Sequence, residues 1–301
     1  MPVNKQPLVS VIMNCYNGEE YLHEAIHSVI KQTYKNWELI FWDNKSTDKS
    51  ASIFKEYQDD RLKYFCASEH AKILYEARNY AIKKANGDFL AFLDADDWWV
   101  ENKLEKQIPL FDDDKVGLVY GNFWLFFQKN KRKKIFKKNL PSGMIVNNLL
   151  NDYVIGSATY VIRKKFLDHG KYKFNKNFHI IGDFDLNVRL SSQFKINCIQ
   201  EPVAFARRHK NNESLINKNK DIDELKIWYE DNKDNPIFPS KNSLYKVKRH
   251  IAFLEIYRNI LNNKFSKNLL KIINYPSSFN KIKLIIALLL PKFILKKIQT
   301  Y

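Results

Sequence analysis

Glycine is scarce in this chain, at eight residues in 301. Neither G-x-x-x-x-G-K nor G-x-G-x-x-G occurs, so no glycine loop offers its backbone N–H groups to phosphates. That excludes a P-loop NTPase and a dinucleotide-binding domain of the usual type. If a nucleotide binds, its phosphates are expected to be handled by a metal ion rather than by a glycine nest. Cysteine is scarcer still. Cys15, Cys66 and Cys198 fit no zinc or redox spacing, and an odd, scattered set is expected of a reducing compartment. The stretch Met1 to Pro7 lacks the apolar core of a signal peptide. No apolar run reaches the roughly 18 residues needed to span a bilayer. The expectation is a cytoplasmic protein. Acidic residues are outnumbered, 33 against 50 basic ones, for a net charge of +17. Residues 266–301 contain no acid, and seven basic residues fall between Lys129 and Lys138. Such a balance implies an anionic partner, whether nucleic acid, anionic lipid or a phosphorylated substrate.

What is present is a set of apolar runs that end in polar residues. Phe89-Leu90-Ala91-Phe92-Leu93 ends in Asp94-Ala95-Asp96-Asp97. Val9-Ser10-Val11-Ile12-Met13 ends in Asn14-Cys15-Tyr16-Asn17-Gly18. Glu38-Leu39-Ile40-Phe41-Trp42 ends in Asp43-Asn44-Lys45-Ser46. Near-continuous apolar runs bounded by turn residues are how buried parallel strands read. Between them, Tyr21, Leu22, Ala25, Ile26, Val29 and Ile30 recur at helical spacing. So do Leu74, Ala77, Ala81, Ile82 and Ala85, with Gly87 expected to stop that helix. Ser46 or Thr47 is expected to cap a further helix starting near Asp48. The order β-α-β-α-β-α-β predicts an α/β fold with a mostly parallel sheet flanked by helices. Ligands bind beyond the carboxyl ends of such strands, where Asn14, Tyr16, Asp43, Asp94 and Asp96 gather. Hard divalent cations take one or two carboxylates together with substrate phosphate. An Asp-x-Asp at a strand exit offers that, although Asp is also an ordinary turn residue.

Residues 1–115 are expected to form this βα half, and residues 116–215 a second half of the same domain. There Val116 to Tyr120, Phe123 to Phe127 and Ala158 to Ile162 read as strands, and Gly182 to Leu190 ends as a helix. The basic run 129–138 reads as a hairpin or loop tip, either simply solvated or anion-binding. Residues 216–301 read as a helical C-terminal appendage. Its tail, Leu284 to Lys297, is a short apolar stretch broken by Pro291 and flanked by lysines. That pattern suits an interfacial membrane anchor or a helix packed on protein.

Val9 to Trp99 resembles the family 2 glycosyltransferases of GT-A fold, of the bacterial surface-glycan type. The resemblance is carried by Val9-Ser-Val-Ile-Met-Asn-Cys-Tyr-Asn17, Gln32-Thr-Tyr-Lys-Asn-Trp-Glu-Leu-Ile40, Asp43-Asn-Lys-Ser-Thr-Asp48, Glu76-Ala-Arg-Asn79 and Leu93-Asp-Ala-Asp-Asp97. It continues more weakly to about residue 215. It implies that Tyr16 and Asn14 line the base pocket, that Asp43 hydrogen-bonds base or ribose, and that Arg78 lies near base and phosphates. Asp94 would face the ribose, Asp96 would ligate Mn²⁺ or Mg²⁺, and His209 would sit near the diphosphate and metal. Asp183 would be the catalytic base. Many members have Glu-Asp where this chain has Gly182-Asp183, which leaves Asp185 as an alternative base or as a plain helix ion pair with Arg189. Arg207 and Arg208 are candidates for fixed positive charge, and Trp98 or Trp99 for bordering the acceptor.

The resemblance thus implies an inverting, metal-dependent enzyme that moves one sugar from a nucleotide-diphosphate sugar to a hydroxyl of a glycan or lipid-linked acceptor. The Gln-x-x-Arg-Trp motif of processive synthases is absent. The expected setting is cell-surface polysaccharide synthesis on the inner face of the plasma membrane, with peripheral contact to anionic lipid and no nucleic-acid partner. The alternatives are a sugar-phosphate nucleotidyltransferase, which usually carries a glycine-rich phosphate loop, and a basic nucleic-acid-binding protein, none of whose modules appears.

Overall fold

Chain order alternates strand and helix through the first hundred residues of the computed structural model, which describes residues 6–168, 172–217, 219–238, 241–262, 266–276, 278–290 and 295. The strands are β1 (Val9–Cys15), β2 (Trp37–Asp43), β3 (Leu62–Cys66) and β4 (Phe89–Phe92), and the helices α1 (Leu22–Ile30), α2 (Ser50–Lys55) and α3 (Leu74–Ile82) lie between them. β1 pairs in parallel with both β2 and β4, and β2 in parallel with β3. The chain continues through β5 (Trp98–Trp99), α4 (Lys103–Gln107), β6 (Val116–Phe127), β7 (Arg132–Ile135), α5 (Val146–Asn151), β8 (Val161–Arg163), α6 (Lys165–Asp168), α7 (Gly182–Ser191), β9 (Lys195–Arg208) and α8 (Glu213–Ile216). The sheet order is β3-β2-β1-β4-β8-β6-β9-β5, with β7 paired to β6. This is the α/β architecture expected, with antiparallel pairing introduced at β8.

The apolar runs are buried as continuous strands because helices cover the sheet. Leu22, Ala25, Ile26 and Val29 of α1 join Val9, Val11, Met13 and Cys15 of β1 in one cluster. Each leucine, isoleucine, valine or methionine among them contributes roughly 1.5–3 kcal/mol on burial. The core also holds polar groups. Lys103 is fully buried, its ammonium 2.6 Å from Gln107 Oε1 and 4.1 Å from the centre of the Trp99 ring. Burial pushes that lysine well below its ordinary pKa.

Local expectations shift in three places. α3 ends at Ile82, so Gly87 is not its stop. Gly87 is required for close approach, since a Cβ there would meet Leu8 O and Ser10 N at 2.7 Å. α2 starts at Ser50 without a side-chain cap. The Ser46 hydroxyl instead takes the Asn17 N–H at 3.1 Å. The two strands read at 116–120 and 123–127 are one, β6, with irregular register around Gly121 and Asn122.

The chain divides into two compact units, Met1–Ile216 and Asn217–Tyr301. The second is helical: α9 (Lys220–Asn232), α10 (Lys241–Leu261), α11 (Ser266–Ile273) and α12 (Phe279–Leu289). Ile256, Ile260, Ile272, Tyr275, Leu284, Ala287 and Leu295 form its core. On α12, Ile282, Ile285, Ile286 and Leu289 are exposed, the last at 77 %. Among the described residues, no helix is long and apolar enough to cross a membrane. Most of the predicted tail beyond Leu290 lies outside the described residues.

Candidate active site

The carboxyl ends of β1 and β2 are tied to each other. Asn17 (φ 53°) and Lys45 (φ 66°) both adopt the left-handed backbone region. Asn17 Oδ1 accepts from Thr47 N at 2.8 Å, Gly18 N donates to Ser50 Oγ at 2.9 Å, and Glu19 N donates to Asp48 Oδ2 at 3.0 Å. Asp43 is buried at the root of this clasp. Its Oδ1 accepts from Ser46 N and its Oδ2 from Tyr64 OH, both at 2.7 Å. Tyr16 projects from the end of β1, 53 % exposed, with its ring 4.3 Å from that of His70. His70 is held in turn by Asn44 O at 2.9 Å. Asn14, one position before Cys15, buries both side-chain amide atoms without a protein partner. Buried polar atoms are nearly always satisfied, so this amide at the carboxyl end of β1 is suited to a ligand's donors and acceptors.

A second group gathers beyond β4. Arg78 of α3 is almost wholly buried, with Nη2 2.5 Å from Asp94 Oδ1 and Nη1 donating to Ser157 Oγ at 3.3 Å. Asp94 holds the guanidinium above its ordinary pKa even against burial. Two residues on, Asp96 Oδ2 accepts from Asn212 Nδ2 at 3.0 Å and lies 2.9 Å from His209 Nε2. The join between these distant segments is built by Arg207. Its backbone N–H donates to Asp97 Oδ1 at 2.8 Å, its Nε donates to Asp96 O at 2.8 Å, and its terminal nitrogens reach Gln128 and Glu24. Arg207 is therefore fully committed to the scaffold rather than left as a mobile charge. Asp97 is buried beside Asp96 and Asp94, and burial pushes its pKa well up.

The third element is the start of α7. Asp183 Oδ1 accepts from Phe184 N at 2.7 Å. Burial pushes its pKa up to about 6, opposed by the Phe184 N–H, Arg78 and a hydrogen bond from Tyr75. Asp185, the alternative, is turned into an ion pair with Arg189 at 2.6 Å within the helix. Gly182 stands against the Tyr75 ring, where a Cβ would come within 2.3 Å of Cδ2. So the structure brings Arg78, Asp94 and Asp183 into electrostatic contact, and separately Asp96 and His209. Asn14, Tyr16 and Asp43 line the neighbouring strand ends.

Asp96 and His209 meet in a side-chain hydrogen bond at 2.9 Å, and a carboxylate beside an imidazole is a donor set that a divalent ion such as Mn²⁺ takes. Among the described residues no group of three histidine, cysteine or acidic side chains is placed to hold an ion. The pair thus fits a hard cation completed by phosphate and water. His70, Tyr75, Asn212 and the Arg207 clamp escaped the sequence reading. They come from loops and helices whose contacts span up to 183 residues for the clamp, and no local pattern announces them.

The family model described as "Glycosyl transferase family 2" matches residues 10–186, more than half of the chain. The chain belongs to that family. Among curated relatives, it is 39 % identical to the Escherichia coli UDP-Glc:alpha-D-GlcNAc-diphosphoundecaprenol beta-1,3-glucosyltransferase WfgD over 167 residues, which is 56 % of this chain and 64 % of that protein. It is 32 % identical to the putative teichuronic acid biosynthesis glycosyltransferase TuaG of Bacillus subtilis over 164 residues, 54 % of this chain and 64 % of TuaG. The chain thus spans just under two thirds of the length of these relatives. Among solved structures, S. aureus TarS 1-349 in complex with UDP superposes with a TM-score of 0.61 at 17 % identity, covering 92 % of this chain and 78 % of that one. The mannosyltransferase PcManGT of Pyrobaculum calidifontis, in complex with GDP-Man and Mn²⁺, gives 0.64 at 16 % identity, covering 99 % and 85 %. These two likenesses establish the shared GT-A fold.

Proposed function

We propose that this chain is an inverting, metal-dependent glycosyltransferase that moves one sugar from a nucleotide-diphosphate sugar to a hydroxyl of a glycan or lipid-linked acceptor. The observation that carries this reading is the meeting of Asp96 and His209 at 2.9 Å on the sheet edge that also holds the Arg78–Asp94 pair. Asn14, Tyr16 and Asp43 bind and orient the nucleoside, which places the anomeric carbon for attack. Arg78 faces the phosphates while Asp94 orients it and faces the ribose. Asp96 and His209 hold Mn²⁺ or Mg²⁺, which when bound supplies Lewis-acid neutralisation of the diphosphate. Asp183 takes the proton of the acceptor hydroxyl as its oxygen bonds to the anomeric carbon. The bond from that carbon to the phosphate oxygen breaks, and its electron pair leaves with the diphosphate. A single displacement inverts the anomeric centre. A base poised near pH 6 is ionised at neutral pH yet still basic enough to accept that proton.

The relatives support the setting. The name of the E. coli protein specifies a UDP-Glc donor and a diphosphoundecaprenol-linked acceptor, and that of TuaG specifies teichuronic acid synthesis. Surface-polysaccharide synthesis on a lipid carrier is the matching role for this chain. The helical unit supports peripheral membrane contact, since α12 leaves Ile282, Ile285, Ile286 and Leu289 exposed at i, i+3, i+4 and i+7. The first test is a thermal-shift screen of UDP, GDP, dTDP and CMP with and without Mn²⁺. Stabilisation by one diphosphate that requires the metal is the expected result. No shift with any of the four rejects the donor site.

A further inference from the structure

We propose that the β6–β7 hairpin is a docking surface for an anionic lipid headgroup layer. The hairpin springs from the catalytic edge. β6 and β9 run in parallel register with Phe127 opposite Arg208, and Gln128 N donates to Arg208 O at 3.0 Å. The next residue is His209, which meets Asp96. The turn closes at Lys131, whose N–H reaches Phe127 O at 2.9 Å and whose φ is 57°.

Its charge has one sign. Lys129, Lys131, Arg132, Lys133 and Lys134 are all exposed, and no acidic residue occurs between Asp114 and Asp152. Lys137, by contrast, is neutralised by Asp152 at 2.5 Å. None of the other five forms an ion pair among the described residues. Clustered cations without counter-charges repel one another, so the arrangement is stable only at a modest cost that an anionic surface removes.

The face that carries Lys133 is aromatic, while Arg132 and Lys134 stand opposite Phe127 and Leu125 on the other. Register places Lys133 opposite Phe126, Ile135 opposite Trp124, and Trp124 beside Phe205, all on one face. Trp98 stacks on Phe205 at 4.6 Å and meets Phe126 edge-on at 5.2 Å. These rings are half-buried and lie outside the main core cluster. Lys133 Nζ stands 4.8 Å from the Trp124 ring and Lys131 Nζ 5.8 Å from that of Phe126. Rings capped by lysines whose stems cover apolar surface are the composition of a protein segment at a headgroup layer. A lone phosphate calls for converging donors. Here the cations fan out along an edge strand, which suits an extended charged surface. The inference rests on the glycosyl-transfer reading only for what the docking serves, since lipid binding is measured without donor.

The test is lysine acetylation footprinting of the full chain, read by mass spectrometry. The chain is mixed with phosphatidylcholine vesicles, with the same vesicles containing phosphatidylglycerol, or, without lipid, with inorganic pyrophosphate or duplex DNA. Protection of Lys129, Lys131, Lys133 and Lys134 on the phosphatidylglycerol vesicles alone, lost at high salt, is expected. The variant K131S/R132S/K133S/K134S binds those vesicles roughly fivefold more weakly per charge removed, and keeps its metal-dependent shift with nucleotide diphosphate. Equal labelling with and without vesicles, or an unchanged vesicle affinity of the variant, overturns the proposal. So does protection by pyrophosphate or by duplex DNA in the absence of lipid. Loss of the nucleotide shift in both proteins with the lipid footprint intact rejects the glycosyl-transfer reading and supports the docking surface.

Discussion

Asp96 Oδ2 and His209 Nε2 lie 2.9 Å apart although 113 residues separate them in the chain. Both are the atoms proposed to ligate the metal, and both are fixed from behind, Asp96 through its own carbonyl and His209 through its backbone N–H to Asn212. Asp96→Asn and His209→Ala are each expected to abolish the Mn²⁺-dependent thermal shift with nucleotide diphosphate. Transfer should fall at least ~100-fold, because Lewis-acid stabilisation of the diphosphate is worth several kcal/mol. Isothermal calorimetry with Mn²⁺ and the diphosphate checks this, and wild-type metal affinity in both variants would sink the assignment.

As the proposed base, Asp183 couples activity to pH in a defined direction. Burial holds its folded pKa near 6, above the ordinary 3.8. As a base it works ionised, so kcat/KM rises with pH through about 6 and levels above it. Stability runs the other way. The raised folded pKa gives a contribution fully present below about pH 4 that is lost as pH rises through about 6. Asp183→Asn removes that loss. It should abolish transfer while raising Tm at pH 7, by on the order of 1–2 kcal/mol of stability. A lowered Tm with residual turnover would place the base elsewhere.

Gly182 sets the approach of α7 to Tyr75. In Gly182→Ala the new methyl meets the ring of a buried tyrosine, not a flexible chain end. A loss of about 1–3 kcal/mol is expected, read as the urea midpoint, with kcat reduced more than donor affinity because Asp183 moves with the helix start. Unchanged stability and kcat would show that the ring gives way freely.

The exposed stripe of α12 makes a prediction separate from the site. Replacing Ile282, Ile285, Ile286 and Leu289 with serine should shift the protein from the membrane to the supernatant in a flotation assay, and leave the nucleotide-dependent thermal shift in place. An unchanged distribution would reject membrane contact by this helix.

Much of this architecture is legible in the amino-acid order, for a physical reason. β1, β2 and β4 are buried on both faces, so their runs are apolar throughout and end abruptly in Asn14, Asp43 and Asp94. Local periodicity encodes such elements. The same logic fails where partners are distant. Lys103 and Gln107 sit in an unremarkable charged stretch, and nothing nearby says that this lysine is fully buried on Trp99. Arg207 reads as one cation among several, and its role as the clamp between β5 and β9 depends on Asp97, Gln128 and Glu24 from three other segments. Gly87 reads as a helix stop because composition records flexibility and not the close passage of Leu8 and Ser10. Asp183 and Asp185 cannot be told apart by spacing. Their difference lies in which one Arg189 takes.

The two partnerless amide atoms of Asn14 bear on the lifetime of the protein. A ligand that binds there at a hundredfold excess over its dissociation constant adds about 2.7 kcal/mol to stability. The pool of chain open to proteases then shrinks about a hundredfold when donor is plentiful and grows back under sugar starvation. On the proposed function, the resistance of this protein to proteolysis would rise and fall with the supply of its donor.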